Sequence, residues 1–216
     1  MRYVITFITL IVGSIIFSGC NQQNMTEPDI SNKSTEELIR LLEDQNDPDN
    51  LFSAITEELA NRGATASEAA PALSVALTYP RRDSYLAGFA LIAMGPNAKS
   101  AIPTLVSELS HERSTVRRYA ALSLGAIGRA AECAVPQLAL LLWYQDSETR
   151  SAASISIDAI ARIDLVDPEA KLDPQTPGVM PLDEPEGIVS GLAREWWLNT
   201  GENMKWPTEN CELSSQ

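Results

Sequence analysis

Reactive side chains are scarce in this 216-residue chain, which has one histidine, His111, and three cysteines, Cys20, Cys133 and Cys211. Proton transfer near neutral pH most often rests on histidine. Ser110 stands directly before His111, so a Ser-His-Asp set is not ruled out by counting. Its position argues against one, because Ser110-His111 falls at a turn between two helical units. The nucleophile-elbow glycine pattern and the phosphate-cradling loop are missing from the sequence. His111-Glu112 is a single His-Glu pair, and a paired-metal centre of that type needs several pairs from different elements. No catalytic residue, metal ligand or cofactor is therefore expected.

What positions these residues is a frame written three times. GATASEAAPALSVAL (63–77), GPNAKSAIPTLVSEL (95–109) and GRAAECAVPQLALLL (128–142) align without a gap. Gly63, Gly95 and Gly128 lead, and Pro71, Pro103 and Pro136 follow eight residues later. Leu73, Leu105 and Leu138 stand two residues after the proline, and Leu77, Leu109 and Leu142 six after it. Counting back from each glycine, Leu59, Leu91 and Leu124 fall at −4, while Ala87 and Ala120 fall at −8. A further unit, 147–161, has Ala153 at −8, Ile157 at −4 and Ile160 at −1 (where Met94 and Ile127 stand before their glycines), with Ala161 instead of glycine. A spacing of 32 and then 33 residues predicts stacked helical hairpins. In each, helix A ends at the glycine and helix B opens at the proline. Such short helices gain their stability from stacking.

The pattern resembles the short HEAT-like repeats of the phycobilisome-lyase type, best in VRRYAALSLGAIGRAAECAVPQLALLL (116–142). Arg117 and Arg150 match the arginine near the start of helix A in that family. The resemblance implies an all-α fold, a short right-handed α-solenoid of about three and a half hairpins. Ankyrin repeats share the period but need Thr-Pro-Leu-His, and this chain has Pro-x-Leu with no following His. Some relatives of this type are bilin lyases; the repeat is shared far more widely than the activity.

Laid along the chain, the frame sorts the remaining candidates. Tyr79, His111 and Tyr144 all fall eight residues after the proline, with Trp143 beside the last. They form either a row of partner contacts or a set of plugs between hairpins, and plugging is the expected role. Arg117 and Arg150 either grip an acidic partner or pair within the molecule, and internal pairing is expected. Cys133 lies five residues after Gly128, where the sister units have Glu68 and Ser100. That register predicts an accessible thiol. A disulfide from Cys133 to Cys211 would tie the tail to the third unit; the alternative is two free thiols, or Cys211 paired between molecules.

Apolar residues make up 44% of the chain with only four Phe and four Trp, which suits closely packed helices rich in Ala and Leu. The net charge of −13 excludes nucleic acid as an expected partner. Residues 20–50 carry eight acids and two bases, 163–216 eleven and three, and 51–162 ten of each. A neutral body between two acidic flanks is the pattern of a scaffold with solvated arms.

At the amino terminus, Arg2 and the apolar run from Val4 to Phe17 read as an export signal. Phe17-Ser18-Gly19-Cys20 resembles the bacterial lipoprotein lipobox. The resemblance implies lipidation of Cys20 and a chain anchored on the exported side of a cell-envelope membrane. Ordinary cleavage nearby is the alternative. The expected organisation is a signal peptide over 1–19, a tether over 20–33 and the repeat domain over 34–162. An acidic Pro-rich connector over 163–183 and a capping helix with its tail over 184–216 follow. Ser34-Thr35-Glu36-Glu37 is a capping box opening the first helix, and Asp47-Pro48 marks the start of the second. Trp196, Trp197 and Trp206 are the expected seal of the cap. The function that fits is a non-catalytic scaffold for an unidentified protein partner in the cell envelope. The alternative is a lyase-like or chaperone protein holding a tetrapyrrole or other small ligand in the groove.

Overall fold

The structure is a computed structural model that describes residues 30–44, 51–161, 188–208 and 211. The signal segment with Cys20, the Asp47-Pro48 start and the connector 163–183 lie outside these residues, as does the expected helix start before Ile188. All regular structure among the described residues is helical. The α-helices are α1 (Thr35–Glu43), α2 (Phe52–Arg62), α3 (Ala70–Ala76), α4 (Tyr85–Met94), α5 (Ile102–Glu108), α6 (Ser114–Ile127), α7 (Val135–Leu141), α8 (Ser147–Ala161) and α9 (Ile188–Asn199).

The capping box forms as the sequence demands. Ser34 N–H donates to Glu37 Oε2 at 2.8 Å, and Glu37 N–H donates to Ser34 Oγ at 3.2 Å. The Ser34 backbone bond and then its hydroxyl hold the Glu37 carboxyl below the ordinary carboxylate value.

The three glycines end α2, α4 and α6 with φ of 51°, 53° and 74° and ψ of −119°, −130° and −143°. This lies outside the left-handed helical region expected for a helix C-terminus, in backbone space open essentially to glycine alone. Each glycine then opens a seven-residue 3-10 turn: Gly63–Ala69, Gly95–Ala101 and Gly128–Ala134. These turns, kinked at Ala66, Ala98 and Ala131, carry the chain into α3, α5 and α7, each with its proline in the first two positions. The sequence frame marks the two ends of the turn but gives no sign of its 3-10 geometry.

Packing follows the register. Helix α2 packs on α4, α4 on α6 and α6 on α8, while each short second helix packs on the following long one. Leu59, Leu91, Leu124 and Ile157 at −4 are fully buried, as are Leu73, Leu105 and Leu138 after the prolines. Ala87, Ala120 and Ala153 are fully buried too, and small side chains here let the long helices approach closely. The approach is tightest at two glycines. A Cβ on Gly88 would lie 2.7 Å from Tyr119 Cβ, and one on Gly125 would lie 3.0 Å from Ser156 Cα. Two serines bridge the same contacts: Ser156 Oγ donates to Ala121 O at 2.7 Å, and Ser123 Oγ approaches Gly88 O at 3.5 Å. Helix α9 covers the open side of α8 and buries Ala193.

Candidate functional site

The residues singled out by register do not behave as a row. Tyr79 is 8% exposed and tilts against Phe52 with ring centroids 6.3 Å apart. It fills a gap and is withdrawn from any partner. His111 is half-buried in the loop before α6, where its Nδ1 accepts the Arg113 N–H at 3.0 Å. Tyr144 is half-buried beneath Arg117, whose guanidinium carbon lies 4.6 Å from the ring centroid. Trp143 is the one that reaches solvent, at 49% exposure.

Both arginines of the repeat register act inward. Arg117 Nη1 donates to the carbonyls of His111 and Glu112 at 2.9 and 2.8 Å, six and five residues back. Arg150 Nη1 donates to Tyr144 O and Gln145 O at 3.0 and 2.7 Å, the same two offsets. Arg117 Nη2 further pairs with Asp146 at 2.8 Å. Arg117 is nearly buried, so it is not available to grip a partner. This is one device used twice: a planar, permanently charged fork pins the loop that precedes its own helix.

Cys133 forms the expected bond to Cys211 but not at the expected accessibility. Glu68 and Ser100, at the same register, are exposed, whereas Cys133 is 6% exposed. Cys133 and Cys211 form a disulfide, with their Cα atoms 5.9 Å apart. The disulfide sets Cys211 of the tail on the third turn, which also packs against α8. Neighbouring residues continue the attachment. Trp196, Trp197 and Trp206 cluster with centroids 6.2 to 6.5 Å apart, Trp197 stacked on Trp206 and Trp196 edge-on to Trp206, and all three pack against the core. Trp206 Nε1–H donates to Gly201 O at 3.0 Å.

A surface patch results where this cap meets the third hairpin. Arg194 of α9 donates from Nε to Leu142 O at 2.6 Å, satisfying a carbonyl at the end of α7. Its guanidinium carbon lies 5.9 Å from the Trp143 ring centroid. Leu198, one turn beyond Arg194, is 60% exposed, and Leu140, in the same turn as Trp143, is 68% exposed. Register alone misses Leu140 and Leu198, because one belongs to the frame's variable positions and the other to no repeat.

A second aromatic group lies on the long helices. Tyr85, Phe89 and Tyr119 have centroids 5.2 to 5.9 Å apart, and Phe89 is 49% exposed. Burial pushes the Tyr119 hydroxyl above its ordinary pKa, with Arg118 opposing. The i, i+4 pair Tyr85 and Phe89 is the sequence signal that could have found it.

Among the described residues no group of three His, Cys, Asp or Glu side chains could hold a metal. No described helix is long and apolar enough to cross a membrane. No family model, curated protein or solved structure matches the chain.

Proposed function

We propose that this chain is a membrane-anchored lipoprotein that binds another protein without catalysis, through a HEAT-like repeat domain built as a short right-handed α-solenoid. The successive packing of α2, α4, α6 and α8 supports the solenoid reading. The lipid anchor rests on Phe17-Ser18-Gly19-Cys20, and it places the partner in the cell envelope.

The observation that carries the binding reading is the patch of Leu140, Trp143 and Leu198. Single exposed apolar side chains are ordinary, but an exposed tryptophan at the meeting of two elements, each with an exposed leucine a turn away, is characteristic of a contact surface. Here Arg194 bonds to the backbone beside Trp143 and leaves the ring open to solvent. A partner that covers the tryptophan gains a large apolar anchor at little entropic cost.

The test is photo-crosslinking in cells from a reactive residue placed at Leu140, with mass spectrometry of captured proteins. Capture of one protein, lost on Trp143→Ser with an unchanged melting temperature, is the expected result. Undiminished capture by Trp143→Ser would remove the patch from the proposal. Metabolic labelling with an alkynyl fatty acid, compared between the parent and Cys20→Ser, tests the anchor separately.

A further inference from the structure

The C-terminal cap is attached to the repeat domain in two ways of different chemistry. Helix α9 docks non-covalently, through Ala193 against α8 and Arg194 against Leu142 O. The stretch beyond it is held differently. Its hydrogen bonds among the described residues stay within the cap: Thr200 N–H to Trp196 O at 2.9 Å, Asn203 N–H to Thr200 O at 3.2 Å, Met204 N–H to Gly201 O at 3.2 Å, Trp206 Nε1–H to Gly201 O at 3.0 Å, and Cys211 N–H to Thr208 O at 3.3 Å. Trp206 packs against the core, and the disulfide ties Cys211 to the third turn, joining residues 78 apart in sequence.

The repeat frame tells what lies beneath. Glu68 and Ser100 show that this register position is solvent-facing when nothing is folded over it. Cys133, at the same register, is 6% exposed, with Cys211 of the tail bonded to it and α8 packed on its turn. Lifting the tail opens the Cys133 sulfur on the side where Cys211 now stands.

We infer that the Cys133–Cys211 pair is a thiol–disulfide exchange site that governs docking of the cap, and with it the shape of the Leu140–Trp143–Leu198 patch. A thiolate of an envelope dithiol attacks one sulfur of the pair and forms a mixed disulfide, releasing the other cysteine as a thiolate. The second thiol of the dithiol then displaces the remaining cysteine. Two electrons and two protons pass to Cys133 and Cys211, and the dithiol leaves oxidised. The reduced cap keeps only its non-covalent contacts. Arg194 then leaves Leu142 and Trp143 whenever α9 lifts. The consequence for partner binding rests on the protein-binding reading; the exchange and the undocking do not.

The experiment treats the folded chain with dithiothreitol in the absence of denaturant. It follows alkylation of each cysteine and hydrogen exchange by mass spectrometry. Both cysteines are expected to become alkylated while residues 52–161 keep their protection. Exchange across 193–206 is expected to rise at least ten-fold (about one decade, or 1.4 kcal/mol) and to fall again on reoxidation. The double variant Cys133→Ser, Cys211→Ser should reproduce the reduced pattern. Two results overturn the inference: alkylation that proceeds only together with loss of protection over 52–161, or a reduced chain whose cap exchanges like the oxidised one. Crosslinking from Leu140 separates the two readings. Equal yield from oxidised and reduced chain ends the switch and leaves binding standing. Background yield from the oxidised chain ends the binding reading and leaves the exchange measurement valid.

Discussion

Arg117 reaches across a unit boundary to Asp146, with Nη2 2.8 Å from Oδ2, while its other terminal nitrogen holds two carbonyls of its own loop. Asp146 in turn accepts the Thr149 N–H on Oδ1 at 2.7 Å and so caps the start of α8. One ion pair thus joins the loop before α6 to the first turn of α8.

Asp146→Asn should lower stability at neutral pH by about 1–2 kcal/mol, the range for a hydrogen bond to a charged group reduced for partial exposure. Burial pushes the Asp146 carboxyl up, but the bonds from Thr149 and Arg117 outweigh it and leave the pKa below its ordinary value. A depressed carboxyl stabilises the fold above its unfolded pKa, about 3.9, and that stabilisation is lost as pH falls through the folded pKa. Urea titrations at pH 7 and pH 3 should therefore show the deficit of the variant shrinking in acid. A deficit equal at both would disprove the assignment.

Replacing glycine by alanine inside a helix ordinarily stabilises it, by about 0.5–1 kcal/mol. Gly191→Ala in α9, with nothing within 4 Å of the new carbon, should follow that rule. Gly88→Ala should reverse it and lose about 1–3 kcal/mol, the range for overpacking, because the methyl meets the near end of Tyr119 at 2.7 Å. Paired thermal melts decide, and a gain in both would mean that α4 and α6 pack less closely than described.

Tyr79 and Trp143 are separated by one register position yet should respond oppositely to serine. Tyr79→Ser removes a ring packed on Phe52 and should cost about 2–4 kcal/mol, as large-to-small core changes do. Trp143→Ser should stay within about 0.5–1 kcal/mol, as surface changes do. Chemical denaturation of both variants measures the contrast, and equal losses would refute it.

The core was legible because it repeats. Leu59, Leu91 and Leu124 could be placed by counting from a glycine, and all three are buried as counting requires. Local conformation was half legible: glycine and proline mark the ends of each turn, while its 3-10 path depends on packing against neighbouring turns. Register failed where distant chain intrudes. Cys133 has the backbone position of two exposed residues yet is interior, where a tail arriving from 78 residues away is bonded to it. Tyr79 takes the plugging role expected of its register, while His111 and Tyr144 share its backbone position and not its neighbours. Phe52 lies against the first, a backbone N–H reaches the second and Arg117 covers the third.

The paired arginines also fasten the joints of the array. Loops ahead of α6 and α8 are each bolted by a guanidinium six residues on, whereas Ser84 occupies the equivalent place ahead of α4 and is too short to reach back. There the clamp comes from within the loop: Arg81 pairs with Asp83 at 2.6 Å and lies 4.0 Å over the ring of Phe52 in the preceding hairpin, so a planar cation locks each of these three loops and no joint among them is left to side-chain packing alone.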